Sequence, residues 1–300
     1  MERTHNTNQS RLSGIFLVII AAACWGTSGI FIINIINKGD LSAIGLAFWR
    51  DLLSSLILLV GILIINPKLL RIKKEDLPTL IGMGTISIGA FHIFWNIAVI
   101  RLGPSLATVI QCNAPIFVTI MARLIYKERL SFRKILAIGA AAAGTVLAAG
   151  LINGQDLNVD PKAIWIGLGS AITYSSLSLF GKKLSGVYNS WAITFYIFAI
   201  GTLTIFLYQG GRPEPWPTGS GTLPWLLGFV FFSTIVGFRL YTQALSILPA
   251  SVASITATTE ILFASILAYL FLGEQLGGWQ ILGAVLVILG VVLVSLEKKK

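Results

Sequence analysis

The chain has 300 residues, 55% hydrophobic and 11% charged, with a mean hydropathy of +0.84, so no soluble domain can be carved from it. Its formal net charge of +10 is scattered over short connecting segments and forms no basic face, which excludes a nucleic-acid partner. The two cysteines, Cys24 and Cys112, fall inside apolar runs and are expected to pack, not to form a disulfide framework.

Ten apolar runs follow in chain order, at residues 12–34, 41–65, 77–100, 103–126, 135–152, 163–181, 191–208, 223–248, 249–272 and 277–296. Most approach the roughly 20 residues that a helix needs to cross a bilayer. They are too long and too uniformly apolar for barrel strands, and hydrocarbon demands internal partners for every backbone amide, so helices remain. The expected fold class is an all-α polytopic membrane protein of ten transmembrane helices. Arg11 and the run into Ala21-Ala22-Ala23-Cys24 mimic a lipoprotein signal, but nine further spans favour an uncleaved first helix. The longest loop, 209–223, is too short for a catalytic module, and 153–161 is the natural linker between a first unit, 1–152, and a second, 162–300.

Placing the N-terminus in the cytoplasm puts 15 Lys and Arg on the inner side and four, Lys38, Arg101, Lys162 and Arg212, outside. The excess of positive charge inside then orients both termini to the cytoplasm and the protein in the cytoplasmic membrane. The membrane lipids are thus expected partners, and homo-oligomerisation stays open.

Residues 95–147 reappear at 241–293 with a constant offset of 146: Leu102 matches Leu248, Ser105 Ser251, Ala107 Ala253, Phe117 Phe263, Glu128 Glu274 and Gly144 Gly290. An odd number of helices per repeat makes the second copy enter from the opposite face, so the expected architecture is two inverted five-helix repeats. Glu128 accordingly falls in a loop rich in Lys and Arg, and Glu274 in an external loop without them. Inverted halves around one central site are a design of secondary transporters with alternating access.

Both repeats carry an aliphatic stretch, a (K/G)-E-x-L turn and a Gly-containing helix: Pro115-Ile-Phe-Val with Lys127-Glu128-Arg129-Leu130, and Glu260-Ile-Leu-Phe with Gly273-Glu274-Gln275-Leu276. With Ala23-Cys24-Trp25-Gly26 and Phe48-Trp49-Arg50, the chain resembles the drug/metabolite transporter superfamily, EamA type, over nearly its whole length. The resemblance implies a basket-like bundle with a central cavity lined from both halves and the fifth helix of each at the periphery. It also implies small-metabolite transport, often amino-acid export. Ile261 replaces the repeat-equivalent Pro115, so a bend is expected in the fourth helix and not in the ninth.

Ionisable groups at membrane depth are functional candidates by default. Glu260 lies at the centre of the ninth helix, on a stripe of small residues at 253, 257, 264 and 268; the eighth helix carries Arg239, the second Arg50 and Asp51, the third His92. Glu260 and Arg239 are expected to meet the ammonium and carboxylate of a zwitterion, with an ion pair of Arg239 to Glu260 or Asp51 as the structural alternative. Arg50 and Asp51 point about 100° apart, so one of them should brace neighbouring helices. Asp51, His92 and Glu260 are candidates for proton coupling. Trp25 and Tyr174, too deep for the interfacial belt, and Trp95 are expected against the substrate side chain, with Gln111 and Asn113 adding polar contacts. Trp165, Trp191, Trp225 and Trp279 read as belt residues. Arg123, Lys127, Lys182 and Lys183 read as snorkelling, and Gly139 with Ala143, Ala140 with Gly144 and Gly283 with Gly290 as helix contacts.

No phosphate loop, metal spacing or nucleophile triad is present, so no cofactor, metal or enzymatic activity is expected. The expected activity is secondary transport of a small metabolite, amino-acid export first. The alternatives are an organic-cation transporter for choline or cationic drugs and, from a different class, an intramembrane lipid flippase or transferase.

Overall fold

The computed structural model describes residues 2–38, 41–102, 107, 110–148, 161–217, 219, 221–272 and 277–296. Among them run α1 (Arg11–Ile36), α2 (Ala43–Ile65), α3 (Lys74–Leu102), α4 (Ala114–Tyr126), α5 (Phe132–Ala148), α6 (Pro161–Leu184), α7 (Ser190–Tyr208), α8 (Thr222–Ile247), α9 (Ala250–Phe271) and α10 (Gly278–Ser295). All but α4 and α5 are long and apolar enough to cross a membrane. The linker 153–160, Ser105 and Glu274 lie outside the described residues. Large side chains such as Ile65, Leu124, Phe132 and Trp165 are 70–82% exposed, an outer surface suited to lipid and costly in water. The chain is an all-α polytopic membrane protein.

The helix pairs repeat. α1 packs on α8 and α9, and α6 packs on the corresponding α3 and α4; α2 pairs with α7, α4 with α9 and α5 with α10. The α5–α10 contact is built from glycine. A methyl on Gly144 would stand 2.7 Å from the Gly283 carbonyl oxygen and 2.8 Å from the Val287 nitrogen, and one on Gly290 2.8 Å from the Ala137 carbonyl oxygen. Subtracting 146 turns Gly290, Gly283 and Val287 into Gly144, Ala137 and Ala141, so the same contact is made twice. Close backbone approach is how helices pack where lipid is as apolar as leucine. Gly139 does not share in it, for a methyl there would meet nothing within 4 Å.

Regular helix fails at matching places. α9 is α-helical over Ala250–Ala257 and again over Glu260–Leu272, and between them the Thr258 and Thr259 hydroxyls donate to the carbonyls of Ile255 and Thr256 at 2.7 and 2.9 Å. Ahead of α4 the turn falls at Cys112 and Asn113, the repeat equivalents of 258 and 259. The expectation that only the proline-bearing helix bends is therefore overturned: threonine hydroxyls that capture nearby carbonyls interrupt α9 without a proline. The break also divides the stripe of small residues around Glu260, which is not one continuous face. Helix α3 widens to a π-turn over Thr85–Ala90 and α8 over Phe229–Val236, overlapping under the same offset. Helix α1 is interrupted at Thr27, whose hydroxyl donates to the Cys24 carbonyl at 2.6 Å.

Two charged side chains close helix ends. Glu128 accepts from the Ala250 amide at 2.8 Å and from the Ser251 hydroxyl, capping the positive end of α9. Lys182 does not snorkel: its Nζ donates to the Leu245 and Leu248 carbonyls, both at 2.8 Å, at the C-terminal end of α8. In the turn between α6 and α7 the Tyr188 hydroxyl donates to Asp76 Oδ2 at 2.5 Å and accepts from the Lys73 amide at 3.2 Å.

Gly144→Leu should lower stability by about 1–3 kcal/mol through overpacking, read as a lower Tm in detergent, while Gly139→Leu leaves it unchanged. Equal effects would remove the α5–α10 approach as the cause. The hydrogen bond to the Asp76 carboxylate holds the Tyr188 phenol above its ordinary value. A phenol whose folded pKa is raised contributes stability fully below about pH 10 and loses it as pH rises through the folded value. Ultraviolet titration of wild type against Tyr188→Phe should show this phenol ionising late, and Asp76→Asn should bring it back toward about pH 10.

Candidate functional site

A cavity of about 520 Å³, open solvent included, lies between the two halves. Trp25, Ser28 and Ile32 of α1 line it, with Arg50 of α2, Phe91, His92 and Trp95 of α3, Gln111 before α4, Tyr174 of α6, Phe229, Ser233, Thr234 and Phe238 of α8, and Glu260 of α9. The irregular backbone described above is what exposes this wall. Glu260 is the first residue after the break in α9, so its carboxylate sits at the N-terminal end of a half-helix, where the dipole favours negative charge. The π-turn of α8 presents Phe229, Ser233 and Thr234, and Ser233 Oγ meets Ser28 Oγ at 2.6 Å across to α1.

Behind Arg50 stands a buried charge cluster. Asp51 is fully buried; its Oδ1 accepts from Arg50 Nε at 3.0 Å and its Oδ2 meets His92 Nδ1 at 2.8 Å. Arg50 Nη2 also reaches the His92 ring, 2.5 Å from Nε2. The guanidinium lies 5.1 Å from the centroid of Phe229, a cation–π contact that holds its plane. Thus the 100° separation of neighbours on a helix resolves into two roles: Arg50 faces the cavity and Asp51 orients it from behind.

The aromatic wall is continuous. Trp25 meets Tyr174 edge-on with ring centroids 6.3 Å apart and Phe238 at 5.1 Å, and Tyr174 lies 4.9 Å from Phe91. The indole Nε1 atoms of Trp25 and Trp95 are buried without a hydrogen-bond partner among the described residues, leaving two donors in the lining.

Of the residues singled out from sequence, Trp25, Trp95, Gln111, Tyr174, His92 and Glu260 meet in this cavity. Three do not. Asn113 sits in the turn before α4, its Nδ2 donating to the Ile110 carbonyl at 3.2 Å. Asp51 touches the cavity only through Arg50 and His92. Arg239 lines a different pocket, its guanidinium 4.8 Å from the centroid of Trp191, and pairs with neither Glu260 nor Asp51 among the described residues. The cation that shares the cavity with Glu260 is Arg50, because α8 turns Phe238 inward and its neighbour Arg239 away. Trp191 carries Arg239 on its ring, Trp225 packs on Phe31 with centroids 6.2 Å apart, and Trp165 and Trp279 are exposed. Phe91, Phe229 and Phe238 were indistinguishable from other apolar residues in the sequence. Ser28 and Ser233 gave one weak signal, a hydroxyl within an apolar run.

The sequence matches the EamA-like transporter family twice, over residues 12–150 and 161–296. The chain belongs to that family of membrane transporters. Relatives include an uncharacterised inner membrane transporter, YicL, of Salmonella typhimurium, 22% identical over 97% of this chain and 98% of its own length. An uncharacterised transporter of Archaeoglobus fulgidus is 26% identical over 75% of this chain and 79% of its own. A probable terminal-alkyne amino-acid exporter of Streptantibioticus cattleyicolor is 24% identical over 75% of each chain. One solved crystal structure shares the fold with a TM-score of 0.77 over 94% of this chain and 96% of that one, at 15% identity. The chain is thus a multi-pass membrane transporter.

Asp51→Asn would leave the Arg50 guanidinium buried without its counter-charge. It should cost about 3–5 kcal/mol, measured as loss of Tm, whereas Asp51→Glu should retain most of it. A neutral Asp51→Asn would mean that Arg50 does not depend on this pair.

Proposed function

We propose that this EamA-like protein is a secondary transporter that exports a zwitterionic metabolite, an amino acid first, across the cytoplasmic membrane by alternating access. The observation that carries the reading is that Glu260 and Arg50, one carboxylate and one guanidinium, line a single aromatic cavity. Glu260 has no hydrogen-bond or ion-pair partner among the described residues, so a substrate ammonium would complete it. Arg50 keeps Nη1 free of partners among the described residues after Nε and Nη2 are engaged, and a guanidinium suits a carboxylate. Trp25, Tyr174 and Trp95 would hold the side chain. The amino-acid export named for the relative from Streptantibioticus cattleyicolor agrees with this chemistry. The exchange of helix pairs under the 146-residue offset supports inverted halves, and the cytoplasmic placement of both termini follows from the charge distribution.

A second reading is an organic cation such as choline. It is favoured by the contact of Arg50 with Asp51, which already compensates the guanidinium and leaves Glu260 and the aromatic rings as the unpaired features. Flux of radiolabelled substrate in proteoliposomes, with and without a pH gradient, separates the two. For a zwitterion, Glu260→Gln and Arg50→Gln should each lower flux tenfold or more. For a cation, only Glu260→Gln should. Flux unchanged by Glu260→Gln removes both readings of the site.

A further inference from the structure

Away from the central cavity, a second pocket of about 730 Å³, open solvent included, lies where the turn between α6 and α7 meets α8. Four buried polar atoms of its lining have no hydrogen-bond partner among the described residues: Arg239 Nε, Thr242 Oγ1, Ser185 Oγ and Gln243 Oε1. Thr242, a lining residue, is 1% exposed. Arg239 makes no ion pair among the described residues and rests on Trp191 at 4.8 Å. The Arg239 side chain is only partly buried, and its Nε is the buried nitrogen without a hydrogen-bond partner among the described residues. The N-terminus of α7 adds to the same wall through Asn189 and Ser190, with the Asn189 Oδ1 accepting from the Trp191 amide at 2.9 Å. The acidic group nearest in the hydrogen-bond network, Asp76, is engaged by the Tyr188 hydroxyl.

We propose that this pocket binds an oxyanion, a phosphate group above all, held by Arg239 with the Thr242 and Ser185 hydroxyls donating beside it. A guanidinium on an aromatic platform and two unpartnered hydroxyls in the lining of one pocket are the donor types that suit a tetrahedral anion. Gln243 supplies an acceptor for a neighbouring hydroxyl or ammonium, or a further donor with its amide turned. The same phosphate chemistry is offered by a free solute and by a phospholipid headgroup, and the pocket lies at the end of the bundle where both are within reach. The site is separate from the cavity that holds Glu260: Phe238 and Arg239, consecutive in α8, face the one and the other. It stands whatever that cavity carries.

The test is binding to the purified full chain in detergent at constant ionic strength with chloride as the reference anion. Inorganic phosphate and dihexanoyl phosphatidylglycerol, below its micelle concentration, are titrated in turn, reading the tryptophan emission lost in Trp191→Phe. Neutralising the guanidinium on Trp191 should change that emission saturably. Response to phosphate alone assigns a soluble ligand and response to the lipid alone a headgroup, and either supports the site. Arg239→Gln should raise the dissociation constant at least tenfold at unchanged Tm. Should that variant not fold, Thr242→Val becomes the deciding variant: it removes an unpartnered hydroxyl, so it should not lower Tm, and it should show the same tenfold loss. No saturable response to either probe, or affinity within twofold of wild type in the deciding variant, overturns the proposal.

Discussion

The structure depends on one constraint: in hydrocarbon every backbone amide and carbonyl must find a partner within the protein. Regular helix meets it, and that is why ten apolar runs become helices. The places where helix is interrupted are therefore confined to the interior, and each has a local substitute. Thr27, Thr258 and Thr259 hydroxyls take carbonyls that the broken turn releases. The π-turns of α3 and α8 widen the ladder without opening it. The irregularities flank the cavity because only there can backbone leave the helix without facing lipid.

The same demand shapes the charges. Asp51, His92 and Arg50 satisfy one another in a buried cluster, so Arg50 is presented in a fixed orientation. Glu260 is left to the cavity, at the start of a half-helix whose dipole favours it. At the helix ends Glu128 and Lys182 are engaged by orphan amides and carbonyls of α9 and α8. Charge inside this bundle is thus divided between groups paired within the protein and groups without an ion-pair partner among the described residues, Glu260 in one pocket and Arg239 in the other.

Much of the fold was legible because hydropathy is a sum over about 20 residues and tolerates local error. The cavity was legible where chemistry is rare at depth: Trp25, Tyr174, Gln111, His92 and Glu260 stood out as polar or aromatic groups in an apolar background. Arg239 stood out equally and was misplaced, since depth along the axis says nothing of azimuth. A single step along α8, about 100° of rotation, separates Phe238 from Arg239 and one pocket from the other. The bend in α9 was missed for a similar reason: proline announces a break in the sequence, whereas paired threonines break a helix only when their hydroxyls take its carbonyls.

The sequence by itself determined the class of protein, an all-α polytopic membrane protein, and the 146-residue duplication, because each rests on composition or on self-similarity along the chain. Only the tertiary structure decided which charges share a cavity. Arg50, not Arg239, stands with Glu260, and Asp51 stands behind Arg50, because side-chain partnership depends on the rotation and packing of helices far apart in the chain. Close approaches between the helices that line the cavity, such as Gly26 on Phe263 and Gly237 on Trp25, belong to that packing, and no single helix carries their geometry.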